Sequence, residues 1–263
     1  MISKKQIGEM VSLAVLASKR INELRSRDSI EVNYKRDKTP VSNADFEANE
    51  IIVRGLKKTC PGIPIVSEEI PESHSFKAET FFLIDPLDGT HGFLKGENEF
   101  TVNIALIDKT VPRIGILAAP ALDQMYYNIL GEGVYFGRCF GNETDFELVK
   151  SVKDPENRQN RVLLSKAFPT SEEKQLLSIY EPYQPERISS SIKFAYLAVG
   201  KGDIYPRFGP TKEWDTAAGH ALLLASGGSM IELPSNKTFH YGKENYRNPP
   251  FLAAAKGIPI HCE

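Results

Sequence analysis

The sequence predicts an α/β (α+β layered) chain, with helices packed on sheets. Two observations carry that prediction. In the first half, two long stretches of helical spacing accompany short apolar runs whose spacers are too brief for crossover connections. In the second half, strand-like and helix-like segments alternate.

The elements follow in order. Over residues 3–27, Ile7, Met10, Val11, Ala14, Val15, Ala17, Ile21 and Leu24 recur at helical spacing and predict one long amphipathic helix. A polar segment, residues 33–40, reads as a strand edge and a loop. VSNADFEANEIIVRGLKKTCPG opens on Ser/Asn cap candidates and closes on Pro61-Gly62. It aligns Ala48, Ile51, Ile52 and Leu56 on one face of a second helix. Residues 63–66 form a short strand ending at Ser67-Glu68-Glu69. Residues 71–79 read as an exposed loop, and 81–84 as the buried strand after it. Strand-like runs then crowd together at 101–107, 113–118, 125–130 and 133–136, which calls for antiparallel hairpins.

The charged segment 150–161 marks a junction between an N-terminal half (1–150) and a C-terminal half (151–263) of one compact unit. Beyond it come strand 161–164, helix 171–180, strand 187–189, helix 191–199, strand 203–205, helix 215–226 and strand 229–232. There is no internal repeat and no low-complexity tract.

Composition narrows the function classes. With 41% hydrophobic and 25% charged residues, a chain of 263 residues can bury a substantial core. A net charge of -2 offers no field for nucleic acid or an anionic membrane, so an anionic ligand must be met by local charge. Cys60, Cys139 and Cys262 are odd in number and far apart, with no C-x-x-C spacing. That suggests neither a zinc site nor a disulfide framework and fits a reducing cytoplasm. The N-terminal apolar run is broken by Glu9 and Ser12 and leads into Lys19-Arg20, as in an amphipathic helix and unlike a cleavable signal. No apolar run approaches the roughly 20 residues of a membrane-spanning helix. Peripheral contact with the cytoplasmic face of the inner membrane is compatible with this but draws no support from it. The oligomeric state is not indicated.

Chemistry concentrates in FFLIDPLDGTHGF, residues 81–93. An apolar run stops at Asp85, Pro86 fixes the backbone, and Asp88 adds a second acid before Gly89-Thr90. Acids at the end of a buried strand are costly unless compensated, and these two repel each other. A divalent cation resolves the conflict, because Mg2+ selects carboxylate and carbonyl oxygens. Alone, the pattern also fits an Asx-type turn. The Glu68-Glu69 pair after another strand also fits a solvated loop. Asp215 in WDTAAG and Asp45 in PVSNAD also fit helix capping.

Taken together, DPLDGT (85–90), the Glu68-Glu69 pair and WDTAAG (214–219) resemble the lithium-sensitive, magnesium-dependent phosphomonoesterases of the inositol monophosphatase superfamily. FTVNIALID (100–108), SSSIKF (189–194) and YPRFGPT (205–211) narrow the likeness to the bacterial 3'(2'),5'-bisphosphate nucleotidases of the CysQ type. The resemblance runs from about residue 7 to about residue 255. It implies an alternating α-β-α-β-α sandwich. It implies two or three Mg2+ ions held by Glu68, Asp85, Asp88, Asp215 and the Leu87 carbonyl, with a metal-bound water as nucleophile. Thr90 and Asp45 match the residues that orient and deprotonate that water, and Glu69 stands behind them, linked to a further metal. Backbone N–H groups at Gly89-Thr90 and at the Asp215 helix start would cradle the scissile phosphate. Ser190, Lys193 and Arg207 match the segments that bind a second, uncleaved 5'-phosphate; otherwise they read as a helix cap and solvated surface.

The implied reaction is hydrolysis of the 3'-phosphate of adenosine 3',5'-bisphosphate, or of its 5'-phosphosulfate analogue, to clear a by-product of sulfate assimilation. Two positions depart from the pattern. His91-Gly92 stands where relatives usually carry Lys-Glu, and Phe168 stands where they often carry His. Phe168 cannot donate to phosphate but could stack on a base. The alternatives are an inositol monophosphatase or sugar-bisphosphate phosphatase, whose metal residues would be the same, and an inert metal- or phosphate-binding regulator. An intact carboxylate set argues against the last.

Overall fold

The computed structural model describes residues 2–27, 29–35, 38–138, 145–149, 159–166 and 170–260. Helix α1 (Lys4–Ser26) starts at Ser3, whose hydroxyl accepts from Gln6 N while the Gln6 side chain accepts from Ser3 N. That reciprocal box satisfies two amides the first turn leaves free. Strands β1 (Val32–Tyr34) and β2 (Pro40–Ser42) form an antiparallel hairpin leading into α2 (Asn43–Thr59). The helices α1 and α2 pack together through Met10, Ala14, Ala17, Ile21, Ala48 and Ile52. Val15 and Ile51, expected on those faces, are only half-buried at the cluster's margin.

Strands β3 (Ile65–Ser67), β4 (Thr80–Asp88), β5 (Thr101–Asp108), β6 (Val111–Ala119), β7 (Gln124–Ile129), β8 (Gly133–Arg138) and β9 (Asp145–Leu148) lie side by side in chain order. Strand β3 runs parallel to β4, and every later pair is antiparallel. A short helix, α3 (Thr90–Leu94), follows β4. The middle strands are largely apolar because both faces are covered, with Asp85, Asp88, Thr101 and Asn103 the buried or half-buried exceptions at one end. Phe82, Ile84, Ile104 and Leu106 pack with α1 and α2, whereas Phe81, Leu83, Ala105 and Ile107 join the core of the second half.

That half contains β10 (Asn160–Leu164), α4 (Ser171–Ser178), β11 (Tyr183–Arg187), α5 (Ile192–Ala198), β12 (Ile204–Arg207), α6 (Glu213–Ala225), β13 (Ser229–Glu232) and β14 (Phe251–Ala254). Its sheet has the order β11-β10-β12-β14-β13, with β10, β11 and β12 parallel and β14 antiparallel to its neighbours. Helices α5 and α6 fill the space between the two sheets. Leu177 of α4 and Tyr180 just beyond it join the same core. The layers therefore alternate helix, sheet, helix, sheet, helix, as the sequence implied.

Helix α6 approaches its neighbours without intervening side chains. A Cβ on Gly115 of β6 would stand 2.1 Å from the Ala218 carbonyl oxygen, and one on Gly219 would stand 2.3 Å from Phe194 Cβ. Both positions demand glycine because the space is already filled.

Several expectations need correction. The strand placed at 187–189 is β11, four residues earlier at its start; its Pro185 and exposed charged residues hide the alternation of an edge strand. The loop at 71–79 begins as a 3-10 turn, Pro71–Ser75, with Ser73 buried and His74 half-buried. β9, β14 and α3 were not foreseen: β9 is polar and exposed, and FLAA in β14 is short and alanine-rich yet wholly buried. Residues 150–158 of the predicted junction lie outside the described residues, as does Phe168. Among the described residues no helix is long and apolar enough to cross a membrane.

Candidate active site

A β-bulge explains the spacing of the two acids in DPLD. Asp85 pairs with Asn103 and Asp88 with Thr101, so β4 advances three residues while β5 advances two. In a regular strand, residues three apart face opposite sides. The extra residue restores the phase, and Asp85 and Asp88 share the face that looks toward α6. The side chain of Leu87 is buried on the opposite side, with α1 and α2. Gly89 then takes a left-handed conformation (φ 91) and turns the chain into α3. A Cβ there would also crowd the Glu99 carbonyl oxygen at 3.2 Å and Ser190 Cβ at 3.4 Å.

Glu68 at the end of β3, Asp85 on β4 and Asp215 in the first turn of α6 each bring a carboxylate oxygen within 4.8 Å of the others. Asp88 stands outside this trio but close enough to act on it electrostatically. Burial first, and then repulsion from neighbouring carboxylates, pushes Asp85 and Asp215 well above the usual carboxylate range. Asp88 is raised as well, chiefly by burial, though the nearby Lys193 ammonium and the Ser191 N–H act the other way. Anionic oxygens converging in a poorly solvated place are the donor set a hard divalent cation fits. One cation already reaches the edge of the group: Lys35 Nζ lies 2.6 Å from Glu68 Oε1 and 2.7 Å from Glu69 Oε1. Burial nonetheless lifts Glu69 to about 7.

Asp45, close enough to act electrostatically on Glu69, meets Thr90. Thr90 Oγ1 is 3.1 Å from Asp45 Oδ1 and 2.9 Å from the Leu87 carbonyl oxygen. Asp45 is held by the Ser42 amide and hydroxyl, which donate to its other oxygen at 2.8 and 2.6 Å. The same carboxylate thus caps α2 and meets Thr90. Burial raises its pKa above the ordinary value, against those hydrogen bonds.

A cavity of about 600 Å³ joins the acids to the second half of the chain. Asp88, Gly89, Ser190, Lys193, Arg207 and Asp215 all line it, and His91 stands on its rim. Ser190 has a left-handed backbone (φ 56), and its Oγ is buried without a partner. Lys193 is buried and donates to the carbonyls of Ile188 and Ser190 at 2.9 and 2.5 Å. Its ammonium lies 4.9 Å from the centre of the Tyr205 ring. Burial pulls its pKa down to about 7. Arg207 donates through Nη1 to Ser165 Oγ at 2.6 Å, while its Nε is buried and unpaired.

Sequence reasoning missed the scaffold beneath Asp88. Ser191 N donates to Asp88 Oδ2 at 2.6 Å, and Ser191 Oγ donates to Asn103 Oδ1 at 2.8 Å and lies 2.7 Å from Thr101 Oγ1. The available signal was in FTVN: Thr101 and Asn103 place polar side chains at strand spacing in an otherwise apolar strand. Lys35 and Ser165 were missed because nothing local marks them.

The model of the inositol monophosphatase family matches residues 5–258. The chain is 37% identical over 250 residues to the 3'(2'),5'-bisphosphate nucleotidase CysQ of Buchnera aphidicola, covering 93% of this chain and 89% of that one. It is 36% identical over 224 residues to the Escherichia coli K12 protein of the same name, covering 84% and 88%. The crystal structure of CysQ from Bacteroides thetaiotaomicron superposes with a TM-score of 0.80 at 30% identity, covering 95% of this chain and 98% of that one. With a family match over nearly its whole length and relatives at 30% identity or above, the chain belongs to the inositol monophosphatase family.

Proposed function

We propose that the chain is a Mg2+-dependent phosphomonoesterase that hydrolyses the 3'-phosphate of adenosine 3',5'-bisphosphate, giving AMP and phosphate. The observation that carries this reading is one cavity with an acidic wall and a cationic wall, Asp88 and Asp215 facing Ser190, Lys193 and Arg207. The relatives named as bisphosphate nucleotidases support it. Glu68, Asp85, Asp88, Asp215 and the Leu87 carbonyl would hold two or three Mg2+ ions. When bound, the ions supply Lewis-acid stabilisation of the charge on the transferring phosphoryl group.

The remaining work falls to the chain. Thr90 positions a water molecule, and Asp45 Oδ1 takes its proton as the water oxygen attacks phosphorus; the bond to the 3'-oxygen breaks, and that oxygen takes a proton from solvent to leave as the 3'-hydroxyl of AMP. Its raised pKa makes Asp45 a better base than an exposed carboxylate. Glu69 and Lys35 stand behind Glu68 and fix its direction. The 5'-phosphate is held by Ser190 Oγ, the Lys193 ammonium and the Arg207 guanidinium, a charge-assisted donor set suited to a dianion. The 5'-phosphosulfate analogue presents the same group and is a second candidate substrate. A monophosphate such as inositol 1-phosphate would leave those donors unmet. We place the reaction in the cytoplasm, in keeping with cysteines that lack paired spacing.

The test is phosphate release from adenosine 3',5'-bisphosphate and from inositol 1-phosphate at equal concentration, with Mg2+ and with a chelator. Faster turnover of the nucleotide, lost with chelator, is expected. Faster turnover of inositol phosphate would remove the 5'-phosphate assignment and leave the metal assignment standing. No release from either would favour an inert binding protein.

A further inference from the structure

His74 sits between two segments that each precede a proposed metal ligand. On one side lies the main chain of Ser67, the residue before Glu68. A carbonyl oxygen can only accept, so at 2.8 Å His74 Nε2 carries the proton and donates to Ser67 O. On the other side lies the indole of Trp214, the residue before Asp215. The two rings stack at 4.8 Å between centroids with 28° between planes.

Both neighbours are themselves immobilised. The Ser67 amide donates to Ser73 Oγ at 3.1 Å, and Ser67 Oγ donates to Asn49 Oδ1 at 2.7 Å. Trp214 is buried, with Tyr246 5.9 Å away and the Lys212 ammonium 5.6 Å from its ring. Tyr246 ties back to the His74 turn, its hydroxyl donating to Phe76 O at 2.8 Å. Tyr246 and Asn245 both hold positive φ, 52 and 54. A left-handed tyrosine is costly, and it persists here because its ring and hydroxyl are both engaged.

We propose that His74 is a positioning residue that sets the separation of Glu68 from Asp215 by gripping the residue before each. The hydrogen bond fixes the end of β3, and the stack fixes the start of α6. The imidazole is thus a spacer between two halves of a carboxylate group whose members arise far apart in the chain. Loss of the spacer lets the mutually repelling acids relax apart and weakens their grip on a shared cation. The inference rests on the reading of these carboxylates as Mg2+ ligands.

The experiment is calorimetric titration of the full-length, metal-free protein with Mg2+ alone, on wild type, His74→Ala, His74→Phe and His74→Gln, with a thermal melt of each. Phe keeps a ring and loses the donor; Gln keeps a donor and loses the ring. Mg2+ affinity is expected to fall about tenfold in His74→Ala, the scale seen when residues behind metal ligands are removed, with smaller losses in the other two. At saturating Mg2+ the KM for the bisphosphate should stay at the wild-type value. Unchanged Mg2+ affinity in His74→Ala with only a lowered Tm would overturn the proposal and leave His74 as packing. Should the alanine variant fail to fold, wild-type affinity in both of the others would overturn it equally. A wild-type protein that takes up no Mg2+ would instead sink the ligand reading on which the proposal stands.

Discussion

The two walls of the cavity meet their charges differently. On the acidic wall, Glu68, Asp85, Asp88 and Asp215 converge from three elements, and burial, with repulsion from neighbouring carboxylates added, raises the pKa of Asp85, Asp88 and Asp215. Among the described residues, Lys35 is the cation ion-paired there, at Glu68 and Glu69. On the cationic wall, Lys193 and Arg207 already rest against neutral oxygens of Ile188, Ser190 and Ser165. Carbonyls and hydroxyls can hold a buried cation in place without cancelling its charge, whereas buried anions crowded together are relieved only by protons or a cation. On the proposed reading, the first wall is completed by a metal ion and the second is in place before the substrate arrives.

The largest effect should come from breaking the acidic wall. Asp85→Asn is expected to lower phosphate release by more than about 10²-fold, beyond the loss typical of residues that only support metal ligands. The same change should raise the Tm of the metal-free protein at pH 8, because it removes a buried, repelled charge. The sign with pH follows from linkage. Carboxyls whose folded pKa is raised hold protons that the unfolded chain releases, so stability falls as pH rises from the ordinary carboxylate value through the folded one. Metal-free wild type should therefore melt lower at pH 8 than at pH 5.5, and added Mg2+ should recover most of the loss at pH 8. A melt indifferent to pH and to Mg2+ would show that the acids are already compensated, and the contrast between the walls would go with it.

A smaller effect is expected from the cationic wall. Arg207→Met removes one charge-assisted contact, worth about 2 kcal/mol, and should raise KM for the bisphosphate about 30-fold. Turnover at saturation should change far less, because the group it holds does not react. A fall in kcat with unchanged KM would place Arg207 at the scissile phosphate instead.

Smallest of all should be a pH dependence confined to binding. Lys193, held down to about 7 in the free protein, is charged below that value and loses its proton as pH rises past it. KM for the bisphosphate should therefore climb above pH 7 in wild type and stay flat in Lys193→Met. A parallel climb in the variant would assign the titration to another group.

How much of this was legible in the sequence divides along the same line. On the acidic wall, Asp85 and Asp88 were read locally as acids closing a buried strand, whereas Glu68 and Asp215, which alone fit a solvated loop and a helix cap, were joined to them through resemblance. The bulge was not read: the sequence ended the strand at residue 84, whereas β4 continues through the register shift to Asp88. The cationic wall was named through resemblance, because a lone lysine after three serines carries no local signal of burial. What tertiary contact alone decides stayed hidden. Lys35 reaches Glu68 and Glu69 from a hairpin some thirty residues earlier, a segment the sequence marked only as a strand edge and a loop. His74 fell in a stretch read as exposed, since only folding shows that Trp214 covers it. Strand β14 shows the opposite limit: its alanines argue against a strand, and burial between two partners overrules them.

The close seat of α6 on β6 has a consequence for how this molecule can vary. Where Gly115 meets Ala218, the gap between layers is set by atoms that are missing, and the height of Asp215 above the sheet is measured from that gap. A methyl group there would act as a shim, lifting the whole helix and carrying one carboxylate away from the others. The chain could then fold, keep every residue that touches its ligands, and still be out of tune, its fault lying in a strand that never meets the reaction.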